Sequence, residues 1–190
     1  MANVLCSYNA DCQTKTYPVW QVPEPTPSIG VDLLYDGGFE SGTYGNWSIP
    51  QSPNLLTELS TQNPHTGAWG YHAKYPNING VTLGLGRVVL GIEPGRQYQF
   101  KAWVRHDNPT GAATSFALAA DPGGFTTPSS ESGLGALPAN TWSLRVLTFT
   151  ATASWVQLKL NVAGQVTGVT NTPGGVDNIW VDDATLTRLN

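Results

Sequence analysis

The stretch Gln97-Tyr98-Gln99-Phe100-Lys101-Ala102-Trp103-Val104-Arg105 decides the fold. Tyr98, Phe100, Ala102 and Val104 recur at every second position, which in an extended chain gathers them on one face and leaves Gln99, Lys101, Trp103 and Arg105 on the other. Working outward, Trp155 to Val162 repeats the pattern, with Val156, Leu158, Leu160 and Val162 inward and Trp155, Gln157, Lys159 and Asn161 outward. Further strands are expected at 82–90, 115–120, 142–150 and 178–187. Turn clusters such as Asn79-Gly80, Pro94-Gly95, Asn108-Pro109, Pro122-Gly123-Gly124 and Pro173-Gly174-Gly175 separate the runs. Only 12% of the residues are charged, against about 25% in an average soluble domain, and 21 Gly and 14 Pro exceed their usual share. Amphipathic helices need a charged wet face, and Gly and Pro cost about 1 and 3 kcal/mol in a helix interior, so the composition argues for strands and turns. The expectation is an all-β chain of two stacked antiparallel sheets. Its 190 residues suit one domain over 31–190. Residues 1–30, with Pro23, Pro25 and Pro27 at alternate positions, read as a stiff extended N-terminal arm that anchors or links.

Several function classes drop out. A net charge of -4, with nine Lys and Arg scattered along the chain, offers no stripe for a phosphate backbone, so no nucleic acid is expected as partner. No apolar run is long enough for a membrane span, and the start Met1-Ala2-Asn3-Val4-Leu5-Cys6 has no signal-peptide character. Cys6 and Cys12 are the only thiols; they fit either a small disulfide loop, which would add roughly 2 kcal/mol and pin only the arm, or two free thiols. Catalysis is not expected. His65, His72 and His106 lack metal-ligand spacing, no nucleophile elbow is present, and Gly84-Leu85-Gly86 lacks the third glycine of a phosphate loop.

Five runs in order carry a family resemblance: Leu33-Leu34-Tyr35-Asp36-Gly37-Gly38-Phe39-Glu40 followed by Trp47; Pro64-His65-Thr66-Gly67; Pro94 to Arg105; Trp142 ahead of Thr148-Phe149-Thr150-Ala151; and Asn178-Ile179-Trp180-Val181-Asp182-Asp183-Ala184-Thr185-Leu186. Over Leu33 to Leu189 the chain resembles carbohydrate-binding modules of the family 4, 9 and 22 type, whose fold is a galactose-binding-like jelly-roll β-sandwich. The resemblance implies a structural calcium, with Glu40 and Asp182 as carboxylate ligands and main-chain carbonyls at Gly38, His65 and Gly67 completing the shell. Calcium takes six to eight oxygens and mixes carboxylates with carbonyls readily. Asp183, Asp36 and Asp177 are the substitutes; the alternative makes Glu40 a turn cap and the Asp182-Asp183 pair a solvated strand end.

The resemblance also implies a glycan-binding sheet face. Gln99, Lys101, Trp103 and Arg105 with Trp155, Gln157, Lys159 and Asn161 are the expected surface, because an aromatic ring stacks on a sugar's C–H face while amides and cations serve its hydroxyls. Trp103 packed beneath a loop is the alternative. Two roles follow: a non-catalytic, calcium-stabilised module binding a polysaccharide or cell-surface glycan, or a structural component of a larger assembly, such as a phage virion decoration or tail protein, joined to other subunits through residues 1–30. Either role places it outside the cell, secreted or on a virion surface.

Overall fold

The computed structural model describes residues 27–49, 56–76, 82–107, 113–121, 130–131, 135–165 and 176–190. Most of the expected arm, including Cys6 and Cys12, lies outside the described residues. Among the described residues ten strands are formed: β1 (Leu56–Ser60), β2 (Gly70–Pro76), β3 (Thr82–Leu90), β4 (Gln97–His106), β5 (Ala113–Asp121), β6 (Ser130–Glu131), β7 (Gly135–Ala136), β8 (Ser143–Thr150), β9 (Trp155–Gln165) and β10 (Val176–Arg188). The first sheet runs β1-β2-β10-β4-β8; the second runs β3-β9-β5, with β6 and β7 both beside β5. Strand pairs within both sheets are antiparallel. From β2 onward the chain crosses repeatedly between the sheets, the connectivity of a jelly roll.

Each expected strand is present, four of them longer than the sequence pattern indicated, while β1, β2 and the two-residue strands β6 and β7 escaped it. In β4 every second residue from Tyr98 to His106 is buried, as the alternation requires. The inward series of the two sheets meet in one core that includes Phe39, Tyr71, Tyr98, Phe100, Leu118 and Leu158. Phe39 bridges from the loop before β1, its ring centroid 6.0 Å from Trp47 and 6.1 Å from Tyr71. Such burial contributes on the order of 2 kcal/mol for each large apolar side chain, which is what holds the sheets face to face.

Two features position the site. Residues 27–34 lace along the end of β10: Gly30 donates to the Arg188 carbonyl at 3.0 Å, Leu33 to Leu186 at 2.8 Å, and the Asp32 carboxylate accepts the Leu186 amide at 2.9 Å. In the middle of β10, Asp182 pairs with Trp103 but the next pair is Thr185 with Lys101, so Asp183 and Ala184 together stand opposite Ala102. That extra residue is a β-bulge. Asp183 takes a left-handed backbone there, with φ 48°.

Candidate functional site

The bulge re-aims a side chain. Asp182 and Asp183 both reach the loop before β2: Asp182 Oδ2 accepts the amides of His65 at 2.8 Å and Thr66 at 3.2 Å, while Asp183 accepts the Thr66 hydroxyl at 2.8 Å and meets His65 Nδ1 at 2.6 Å. Glu40 reaches the same loop from the other side, accepting the amides of Ala68 at 2.9 Å and Trp69 at 3.1 Å. Gly38 sits among all three acids: a Cβ there would stand 3.2 Å from Asp183 Oδ1, 3.4 Å from Asp182 Oδ1 and 3.9 Å from Glu40 Cγ. At Gly67, where φ is 62°, a Cβ would overlap the Glu40 carboxyl group. Gly38, Glu40, His65, Gly67 and Asp182 therefore meet in one place, drawn from three separated segments.

The electrostatics of this cluster are unbalanced. Asp182 is fully buried. Burial pushes its carboxyl up to about 6; the Asp183 charge adds to the rise, and the amides of Asp183, His65 and Thr66 oppose it. Among the described residues no Lys or Arg pairs with Glu40, Asp182 or Asp183, and the one ion-pair contact is His65 on Asp183. No three His, Cys, Asp or Glu side chains among the described residues form a metal-binding group. An oxygen site of the calcium kind would need only two carboxylates, the rest being carbonyls. Of the substitutes, Asp36 is engaged by the amide and hydroxyl of Ser41, and Asp177 stands in register with Tyr75 on β10.

The expected glycan surface is divided by the fold. Gln99, Lys101, Trp103 and Arg105 lie on the outer face of the first sheet, whereas Trp155, Gln157, Lys159 and Asn161 belong to β9 in the second. Since the inner faces of both strands meet in the core, their outer faces point in opposite directions and cannot form one surface. The first group is also engaged. His65 stacks on Trp103 with centroids 4.1 Å apart, with Trp142 at its edge; Arg105 lies over the Trp180 ring, 4.8 Å from its centroid; and the Gln99 amide reaches the Thr148 hydroxyl at 3.5 Å. Lys101 stands between Thr185 and Val146. Trp103 is thus a wall of the acidic cluster.

The outer face of the second sheet is composed differently. Cross-strand pairing sets Leu90 beside Trp155, Val88 beside Gln157, and Gly86 beside Lys159 on the β3 side, with Ala119 opposite Lys159 and Asp121 opposite Gln157 on the β5 side. Leu90 is 73% exposed and Val88 52%, while Trp155, Gln157 and Lys159 are half-buried. The Gln157 amide nitrogen leans over Gly86, 3.8 Å from where a Cβ would stand. Lys159 Nζ lies 3.7 Å from Asp121 Oδ2. The side chain of Asn161 lies outside the described residues.

A family model described as a carbohydrate binding domain matches residues 31–173. The chain belongs to this carbohydrate-binding domain family. No curated protein matches it in sequence. Among solved structures, the module is similar to the xylan-binding CBM22-1 domain of Paenibacillus barcinonensis Xyn10C, with 13% identity, TM-score 0.61, and 85% of this chain and 97% of that one covered. It is similar to a family 61 carbohydrate-binding module in complex with β-1,4-galactotriose, with 16% identity, TM-score 0.55, and 83% and 99% covered. It also resembles part of the enzymatically active domain of tailspike protein 4 from bacteriophage CBA120, with 14% identity and TM-score 0.58, covering 84% of this chain but 22% of that one. At these identities the structural likenesses establish the jelly-roll fold alone.

Sequence reasoning missed Asp121, Val88 and Leu90 as members of the module's second-sheet face. In β3 the inward set is Leu85, Arg87 and Val89, and a buried arginine among them obscures which parity faces the core. Arg87 is tolerated inside because it donates to the Tyr35 carbonyl at 2.7 Å and lies over Trp47.

Proposed function

We propose that this is a non-catalytic glycan-recognition module that reads its ligand on the outer face of β3, β9 and β5 and is stabilised by calcium at the Glu40 and Asp182 cluster. The observation that carries the first part is the row along β9. Trp155 offers an aromatic platform, widened by exposed Leu90, and Gln157 and Lys159 follow at strand spacing along β9. Flat apolar surface beside neutral and cationic donors is what a sugar ring requires. Carbohydrate-binding modules act outside the cell, and that location is part of the reading.

For calcium, the residues fit the donor chemistry: the buried Asp182 carboxylate and the exposed Glu40 carboxylate, neither paired with a Lys or Arg among the described residues, face a turn where only glycine leaves space. Glu40 and Asp182 would supply the charged ligands, and carbonyls of Gly38, His65 and Gly67 the neutral ones. A bound calcium would supply positive charge that cancels the repulsion among the acids and ties the 36–40 turn to β10.

Affinity electrophoresis against a panel that includes xylan and β-1,4-galactan tests the glycan reading. Trp155→Ala is expected to weaken retention about tenfold, the scale of one stacking ring, while Trp103→Ala keeps retention because that ring is packed under His65. Retention lost with Trp103 but not with Trp155, or none on any polysaccharide, would overturn it.

The assembly reading keeps one specific support. The lacing of residues 27–34 onto β10, anchored where Arg188 Nη1 donates to the Pro27 carbonyl at 3.1 Å, fixes where the preceding chain leaves the sandwich. Under that reading, deleting residues 1–26 abolishes association with other subunits yet leaves the melting curve of the domain intact. A full-length chain that sediments as a monomer and never enters a complex would remove it.

A further inference from the structure

One row crosses four strands on the outer face of the first sheet: Glu58 of β1 stands in register with His72 of β2, His72 with Trp180 of β10, and Trp180 with Arg105 of β4. His72 is 1% exposed although it belongs to an outer face. Its Nδ1 lies 3.0 Å from Glu58 Oε1 and its Nε2 3.0 Å from Asn178 Oδ1. The orientation of the Asn178 amide is fixed one step further out, where Asp107 Oδ1 accepts the Asn178 backbone amide at 2.8 Å and Oδ2 accepts Nδ2 at 2.6 Å. A carboxylate only accepts, so Nδ2 must face Asp107 and Oδ1 must face His72. Glu58 is an acceptor too: the hydrogen bond from Lys74 Nζ at 2.8 Å holds its carboxyl below the usual range, burial opposes this, and His72 adds to the lowering. Both ring nitrogens of His72 therefore meet oxygen acceptors, whereas a neutral imidazole has one N–H and one lone pair. The ring also lies 7° from parallel to Trp180, with centroids 4.8 Å apart, so its charge would face a π surface. Two cations oppose that charge: Lys74, which is paired with Glu58, and Arg105, which lies over Trp180 from the β4 side.

We propose that His72 is an imidazolium in the folded protein at neutral pH and serves as a proton-operated latch that ties β1 and β10 to β2. Loss of the proton sets a ring lone pair against the oxygen of Glu58 or of Asn178, and that tie opens. The two-acceptor cradle favours the charged ring in the folded state, so the latch contributes fully at low pH and is lost as pH rises and the folded ring gives up its proton. The latch rests on neither the glycan reading nor the calcium reading.

Nitrogen-15 NMR of the imidazole rings in the full chain tests it, with His72→Gln identifying the resonances. At pH 7.5 the wild-type ring is expected to show two N–H groups with the nitrogen shifts of an imidazolium. Asp107→Asn lets the Asn178 amide turn and donate to Nε2, so the ratio of charged to neutral His72 should fall about tenfold, the scale of one lost opposite charge. A purely structural Asp107 would leave that ratio unchanged. With chelator present throughout, raising the pH from 6 to 9 should lower the melting temperature of wild type more than that of His72→Gln, which has no proton to lose. A neutral His72 with one N–H in wild type at pH 7.5 would overturn the latch, as would a folded Asp107→Asn with the charged fraction unaltered, or equal falls in the two melting series. Should either variant fail to fold, the wild-type ring spectrum decides, since the titrating ring is recognised there by its two N–H groups.

Discussion

Gly37→Ala is expected to lower the melting temperature by roughly 10 °C or more. Gly37 is buried, its carbonyl accepts the Ala184 amide at 3.0 Å, and a Cβ built on it would overlap the Ala184 carbonyl oxygen. The obstacle is backbone, not the end of a flexible side chain, so relief requires moving either the 36–40 turn or the bulge of β10. Both movements would disturb the packing of Phe39 and Ala184, which are buried in the core. Overpacking of this kind costs about 1–3 kcal/mol where neighbours can shift, and more where they cannot. A domain of this size loses about 2–4 °C per kcal/mol. Gly86→Ala is the control, because its Cβ would meet only ordinary contacts at 3.7 and 3.8 Å. A differential scan in which Gly37→Ala and Gly86→Ala melt together would show that the turn and β10 are not locked against each other.

The same place marks the limit of what was legible in the chain. Period-two alternation names an inward set for β4 and β9 because each strand has one face in the core, and the buried series Tyr98, Phe100, Ala102, Val104 and Val156, Leu158, Leu160 are as read. Alternation is a property of one strand. It carries nothing about which sheet a strand joins, and so Trp103 and Trp155 could be assigned to one surface although they stand on opposite sides of the sandwich. β1 and β2 escaped because mixed polarity leaves little periodic contrast: Leu56 is 70% exposed on the edge strand β1, while in β2, held between β1 and β10, His72 is buried on the outer face, stacked 4.8 Å from Trp180. By contrast, the acidic cluster was found through resemblance, since Glu40, His65 and Asp182 are too far apart in sequence for any local pattern to join them. The bulge at Asp183 has no sequence signature either; a left-handed aspartate is visible only once the register of β10 against β4 is known.

Calcium should raise the melting temperature at pH 7.5 by roughly 5–10 °C, since a ligand at a hundred times its dissociation constant adds about 2.7 kcal/mol. The pH dependence gives the sharper test. Without the ion, Asp182 has its folded value raised from 3.8 to about 6 by burial, so the folded state holds the proton more tightly than the unfolded chain. For such a group stability is highest below the unfolded value and falls as pH rises through the folded one, so the chelated protein should lose this carboxyl's contribution between about pH 4 and 6. With calcium the order reverses over that window. The ion needs the ionised carboxylate and competes with the proton, so the difference between calcium and chelator should be large at pH 7.5 and small at pH 5. Asp182→Asn keeps the shape of the side chain but not its charge, and should remove most of the difference at both pH values. Glu40→Gln should act in the same direction, because its carboxyl faces the same turn. Melting curves at pH 7.5 that coincide with and without chelator would end the calcium assignment. The three acids around Gly38 would then be held by the loop amides and His65 alone, and the Asp182 carboxyl would stay raised by burial, opposed only by the amides of Asp183, His65 and Thr66.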